Sequence, residues 1–327
     1  MINEVILLDK NMHEISSVDI DIDCEVGVGS NVSNDFEMTS ATIEELNAAG
    51  FYIPETEIGG LFDYVKQTTE TKIKAWKGYS WRGLMQKSLI LPPSGSDYRI
   101  VSGNVQTIIA GLLENALGGF FVVPDDATAI TISSYQFPLY VNLADGIEGM
   151  LESIGCRMNL YAKKTTQGGK VQVYVEAVEA ETMSGSFNED TQLPLIYEEN
   201  NMGINHLLCA GKGELQNRMK VDLYLDENGN ISETQYYTGF NERTAFYDYS
   251  SAESRDDLID NGKKRLLELA NSKQMTVQSM SNLELTIGDK VTAIFPDGTS
   301  ITKPVVKKVY KINAGILTTE IAVKGEQ

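Results

Sequence analysis

Histidine is almost absent from this chain: His13 and His206 are the only two in 327 residues. Catalysis or metal binding built on imidazole has little to draw on. His206, inside Ile204-Asn-His-Leu-Leu-Cys209, reads as a hydrogen-bonded strand residue. Cysteine is scarce too. Cys24, Cys156 and Cys209 lie far apart, form no Cys-x-x-Cys pair and are odd in number, which excludes a disulfide framework and fits reduced, buried thiols made in a cytosol. Basic residues are outnumbered, 27 Lys and Arg against 46 Asp and Glu, a formal charge of −19. Such a surface repels phosphate, so nucleic acid is not an expected ligand. No apolar run is long enough to span a membrane, because the most apolar region, Ile108 to Val123, is interrupted by Glu114, Asn115 and paired glycines. The opening Met-Ile-Asn-Glu-Val-Ile-Leu-Leu-Asp-Lys has an acid where a secretory signal has bases, so no signal peptide and a soluble chain are expected.

What is present is a sizeable apolar fraction, 42%, enough for two or three domains with real cores. Val18, Ile20 and Ile22 alternate with Asp19, Asp21 and Asp23, the period of a half-buried strand with carboxylates on its wet face. Leu61 to Tyr79 reads as a hairpin around Thr68-Thr69-Glu70, and Thr42-Ile-Glu-Glu45 as a capping box opening a short helix that Gly50 closes. After Pro92-Pro93 the period becomes helical. Ser102-Gly-Asn precedes Val105, Ile108, Ile109, Leu112, Leu113 and Leu117, closed by Gly118-Gly119; Asn142 caps a second helix through Ile147, Met150, Leu151 and Ile154. Strands return at Arg157 to Ala162 and at Val171, Val173 and Val175. Val221–Leu225 and Ile231–Tyr237 flank Asn228-Gly229 as a hairpin, Ser254-Arg-Asp-Asp257 caps a helix, and the last stretch, with Leu283 and Leu285, Pro296-Asp-Gly298 and Val305 to Ile312, reads as short barrel-like strands.

Few constellations suggest chemistry. Asp19, Asp21 and Asp23 open like a calcium loop, but Cys24 stands where that loop needs glycine and Ser30 where it needs a bidentate carboxylate; no metal site is expected. Asp226, Asn228 and Asn230 have similar spacing, with Ile231 in place of glycine, and fit a turn better. Gly211-Lys212-Gly213 lacks the rest of a phosphate loop and reads as a strand connection. Trp76, Tyr79 and Trp81 are either a platform for sugar or peptide or the packing of a hairpin against the next domain, with Arg82 stacking or pairing beside them and Pro92-Pro93 fixing an extended seam. The packing reading is preferred. No catalytic residue, cofactor or metal is assigned.

Trp81-Arg82-Gly83, Ile90-Leu-Pro-Pro93, Tyr98, Ser102-Gly103-Asn104 and, near the end, Ile287-Gly288-Asp289-Lys-Val291, Val309 and Gly315 resemble the siphovirus-type tail hub proteins of bacteriophages and prophages. The likeness spans most of the chain, including Cys209-Ala-Gly-Lys-Gly213, which resembles a Val-x-Gly-x-Gly strand of relatives. It implies an α+β, predominantly β chain with two β-barrel-like tube domains and inserted α+β or helical domains. The expected division is 1–95 for the first barrel with its short helix, 96–203 for the central domain, and 204–327 for the second barrel with a helical insertion near 250–275.

The resemblance further implies a homotrimer at a virion tail tip or baseplate, assembled in the bacterial host cytoplasm. It would join a hexameric tail tube to a threefold tip. Expected neighbours are the tail tube or distal tail protein, a tip spike or fibre, the tape measure protein and other baseplate proteins. DNA passes without specific binding, and Asp19, Asp21, Asp23, Glu44 and Glu45 are the candidate acidic channel lining. Many relatives continue into a peptidase, lysin or fibre, so the chain reads as a hub without its enzyme. A tail-associated cell-wall hydrolase and a receptor or carbohydrate adaptor are the alternatives, and a contractile, non-contractile or DNA-free bacteriocin particle are all open.

Overall fold

The computed structural model describes residues 4–29, 32–40, 43, 47–67, 74–117, 119–124, 129–166, 168–187, 195–200, 202–252, 254–270, 272–279, 285–294, 300–313 and 315–326. Strands predominate over helices, in keeping with an α+β, mainly β class, and the described sheets are open, none closing into a barrel. Contacts divide the chain into two units, residues 1–195 with 276–323 and residues 196–275 with 324–327. The expected division at 95/96 and 203/204 is drawn on other lines than this grouping. The first and last thirds, assigned to separate barrels, share a sheet because Ile22–Gly27 pairs antiparallel with the last six or so residues of Ser300–Asn313.

In the larger unit the order Tyr64–Gln67, Lys74–Tyr79, Asp35–Ser40, Ile22–Gly27, Ser300–Asn313, Ile316–Glu326 is antiparallel throughout. Strand alternation puts Ile22, Cys24, Val26, Phe36, Met38, Tyr310 and Ile312 on one face, where they pack with Leu7 and Phe51 from a second sheet, Glu14–Val18, Val5–Leu8, Gly50–Tyr52, Gly59–Leu61, and with Ile58 just before its last strand. The aspartate-lined segment is not one strand: Glu14–Val18 ends before Asp19, and the next strand starts at Ile22. Its alternation persists, with Asp19, Asp21 and Asp23 exposed and Ile20 and Ile22 buried.

The hairpin forms as Tyr64–Gln67 against Lys74–Tyr79; its turn, Thr68-Thr69-Glu70, lies outside the described residues. So do Thr42, Glu44 and Glu45. Ile43 is helical and fully buried, Ala48 donates to its carbonyl, and the left-handed residue after it is Asn47 (φ 51°). Gly50 does not close a helix; it opens a strand.

Ser80 then caps helix α1, Trp81–Gln86, a helix that the sequence pattern does not announce; its Oγ accepts from Gly83 N at 3.2 Å. Helix α2, Val105–Leu117, starts at Asn104, whose Oδ1 accepts from Thr107 N at 3.1 Å. Helix α3, Leu143–Glu152, starts at Asn142, which accepts from Asp145 N at 2.9 Å. Both caps fall where the sequence placed them. The helices cover Cys156–Lys164 and Val171–Glu179, antiparallel strands with identical alternation of buried and partly buried residues.

In the smaller unit the sheet order is Ile231–Ser232, Lys220–Leu225, His206–Ala210, Thr244–Asp248, with helix α4, Arg255–Leu269, on one face through Leu258 and Leu266. The expected helical insertion is therefore part of this unit's core. The Asn228-Gly229 turn is built by Asp226, whose carboxylate accepts from Asn228 N and Asn230 N at 2.8 Å each. Its second strand is shorter than expected, ending at Ser232. Leu283 and Pro296-Asp-Gly298 lie outside the described residues.

Candidate functional site

The Trp76 to Gly103 stretch divides its aromatic residues among different surroundings. Trp76 packs edge-on against Phe62, with ring centres 5.6 Å apart. Tyr79 is at the surface with Lys87 Nζ 4.1 Å above its ring. Trp81, on α1, is fully buried and meets Phe120 edge-on at 5.4 Å. The three do not form one exposed platform. Pro92 is partly buried and Pro93 exposed, in a turn where Ser96 N donates to Pro93 O.

Gly83 explains the third residue of Trp-Arg-Gly. A Cβ there would stand 2.1 Å from Asn34 O, so only glycine lets α1 approach that backbone. Asn34 is itself buried in a left-handed conformation, φ 49°, with its amide bonded both ways to Gly27 and its carbonyl accepting from Ser80 N and Oγ.

Arg82 is the centre of the unit. It is 1% exposed, and its guanidinium meets Glu148 Oε1 at 2.6 Å and Glu57 Oε2 at 3.4 Å. Glu57 Oε1 accepts from Tyr310 Oη at 3.0 Å, and Glu148 Oε2 accepts from Met158 N at 3.2 Å. One cation thus ties α1, α3, the loop at Glu57 and two strands. Burial pushes the Glu148 carboxyl up, with Arg82 opposing it. Burial also works against the charge on Arg82, but Glu148 and Glu57 outweigh it and hold the guanidinium protonated. The Tyr310 phenol is raised well above its usual range by burial and then by Glu57.

A similar tie lies nearby. Asp289 is 1% exposed and accepts from Arg157 Nε at 2.6 Å, Glu181 N at 2.8 Å, and Thr286 N and Oγ1 at 2.8 and 3.0 Å. Gly288, φ +91°, leaves room for Arg157, since a Cβ would come within 2.5 Å of the arginine Cβ. Sequence reasoning missed Glu57, Glu148, Lys308 and Tyr310. The available signals were a lone acid inside the apolar stripe of α3 and a strand parity that turns Lys308 inward with Tyr310.

Beside this network is a cleft of about 660 Å³, lined by Glu55, Glu57, Tyr161, Glu176, Lys308 and Tyr310 among others. Lys308 Nζ donates to Leu285 O at 2.6 Å and sits 4.7 Å from the Tyr310 ring centre. Burial lowers its pKa below the ordinary 10.5. The folded chain therefore holds this proton less tightly than the unfolded one, so the stability contributed rises with pH until both forms are neutral. Wild type is expected to gain stability from neutral pH toward 10.5 more steeply than Lys308→Met; parallel urea midpoints for the two proteins across that window would contradict it.

The wet face of the long sheet is acidic and basic at once. Asp23 stands opposite Glu37 on one side and Lys311 on the other. Lys77 Nζ reaches Glu37 at 2.6 Å, Lys307 reaches Glu25 at 3.3 Å and Lys311 reaches Glu320 at 3.5 Å. In the smaller unit His206 is a hydrogen-bonded strand residue, with Nε2 2.8 Å from Asp222 and Nδ1 2.9 Å from Thr244 Oγ1 and 2.8 Å from Glu242, its ring stacked on Tyr224. Among the described residues no group of three or more His, Cys, Asp or Glu is placed to hold a metal ion, and no helix is long and apolar enough to cross a membrane. Cys24, Cys156 and Cys209 are free and buried.

No known protein family and no curated protein matches the sequence. Solved structures do align along nearly all of it. The 43 kDa tail protein of prophage MuSo2 from Shewanella oneidensis is 12% identical with a TM-score of 0.47, covering 98% of each chain. A tail protein from Neisseria meningitidis is 11% identical at 0.45, over 98% of this chain and 96% of its own. The prophage tail protein gp18 from Listeria monocytogenes is 14% identical at 0.42, over 98% and 94%. All three of these structures are tail proteins.

Proposed function

We propose that the chain is a structural hub of a bacteriophage or prophage tail, a homotrimer at the tail tip or baseplate that joins the hexameric tail tube to a threefold tip or spike. The observation that supports this best is where six residues of the sequence resemblance lie. Trp81, Arg82, Ile90, Ile287, Asp289 and Val291 are all buried, and the charged members among them are locked in ion pairs. Their role is to hold segments distant in sequence in one rigid arrangement, which is what a connector between assemblies of different symmetry needs.

In this reading the chain acts without catalysis and needs no cofactor. Its partners are the tail tube or distal tail protein, the tape measure protein, a spike or fibre and other baseplate proteins. It works in the virion after assembly in the host cytoplasm. The axial channel passes DNA without binding it: exposed Asp19, Asp21 and Asp23, together with Glu44 and Glu45, would repel phosphate within a Debye length of about 8 Å at physiological salt. Electron microscopy of particles carrying an epitope-tagged chain is the test. Label on the tail axis between tube and tip is expected; label on the tail shaft or the head, or a lysis band on host cell walls, would overturn the proposal.

A further inference from the structure

Two segments of the larger unit, 88–100 and 136–143, run side by side. Leu143 N donates to Ser88 O, Ile90 N to Val141 O and Phe137 N to Arg99 O, while Ile100 pairs with Gln136. Their inward side chains, Ile90, Phe137 and Leu143, are buried. Their outward ones are large and apolar: Leu89, Leu91, Tyr98, Ile100, Leu139 and Tyr140 are 41% to 63% exposed. Six such side chains at about half exposure present roughly 600 Å² of apolar surface, at the upper end for one patch on a monomer and near the ~800 Å² that each partner gives a standard interface.

Two features show that this face is built for contact. Tyr140 sits at φ 56°, a left-handed conformation that costs a bulky residue on the order of 1 kcal/mol, with its side chain 63% exposed. The ribbon that continues the patch, Ile100–Asn104 with Thr131–Gln136, is a two-stranded sheet that packs on the core through Val101, Ile132 and Tyr135 and leaves most of its other residues exposed.

Charge identifies the occupant. In a chain of net −19, the two segments hold one acid and one base, Asp97 and Arg99, and are otherwise uncharged. Copies of this chain repel one another over most of their surface. A face that carries one acid and one base avoids that penalty. The absence of a basic cluster gives the patch nothing with which to grip an anionic membrane or nucleic acid.

We infer that the Leu89–Ile100 and Gln136–Tyr140 face is a contact between copies of this chain. The inference gives a location to the homo-oligomer of the reading above and rests on that reading for its setting, but it fails separately. Sedimentation velocity of the full chain over a concentration series is the test, on wild type, Ile100→Glu and Tyr140→Gly. Glycine relieves the left-handed strain at 140, so Tyr140→Gly keeps or raises the melting temperature while removing the exposed ring. Both substitutions are expected to raise the apparent dissociation constant between copies at least about tenfold, with circular dichroism unchanged. A wild type that is monomeric at every concentration overturns the inference. So does an oligomer that both variants leave intact, and that second result keeps the hub reading while discarding this face.

Discussion

Arg82→Met is expected to destabilise the chain by about 3–5 kcal/mol, the range for removing one partner of a buried ion pair, and to lower the melting temperature of a unit this size on the order of 10 °C. Methionine fills most of the volume, so the loss is electrostatic: Glu57 and Glu148 lose the guanidinium that both of them meet. The deficit depends on pH in a defined direction. Burial already raises the Glu148 carboxyl, and without Arg82 opposing it the folded-state value rises further above that of the unfolded chain. A raised carboxyl favours the folded state below the unfolded value and loses that favour as pH rises through the folded one. Denaturant titrations should therefore show the variant closer to wild type in acid than at neutral pH. Arg82→Met combined with Glu148→Gln should recover part of the loss, because one buried charge goes with it. A single variant as stable as wild type at neutral pH would mean that the network contributes no net stability.

Trp81→Ala should cost a similar amount, about 3–5 kcal/mol for a fully buried tryptophan replaced by a methyl group. Its ring fills the space between α1 and Phe120, and Gly59 lies so close that a Cβ there would stand 2.4 Å from the indole nitrogen. No neighbouring main chain can move into the gap without breaking its own pairing. Trp76→Ala, at a partly buried edge-on contact with Phe62, should cost clearly less. Urea midpoints for the two proteins test this ordering. Equal losses, or a larger one at Trp76, would contradict the division of roles between the two tryptophans.

Local structure was legible in the sequence because it is decided by neighbours. The caps at Asn142 and Ser254 fall where a short polar side chain precedes an apolar periodic run, and each accepts a hydrogen bond from the backbone three residues on. The alternation through Val18, Ile20 and Ile22 kept its parity, with Ile20 and Ile22 buried and Val18 partly so, even though the strand breaks at Asp19 to Asp21. Helix α1 was missed because Trp-Arg-Gly-Leu-Met-Gln has no amphipathic stripe: the helix buries Trp81, Arg82, Gly83 and Met85, and only its serine cap was a signal.

By itself the sequence determined the mainly β class, the excess of acids, the Asn228-Gly229 turn, the caps at Asn142 and Ser254, and the scarcity of histidine and cysteine. Those follow from composition and from interactions within a few residues. Only the tertiary structure decided which strands share a sheet and which charges meet. Glu57 and Tyr310 are 253 positions apart and Arg82 and Glu148 are 66, yet they form one buried network. Nothing local distinguishes Glu57 from the other acids among 46, and only a place in the apolar stripe of α3 marks Glu148. What singles them out is the desolvation each undergoes when distant segments close around it, and that free energy exists only in the assembled fold.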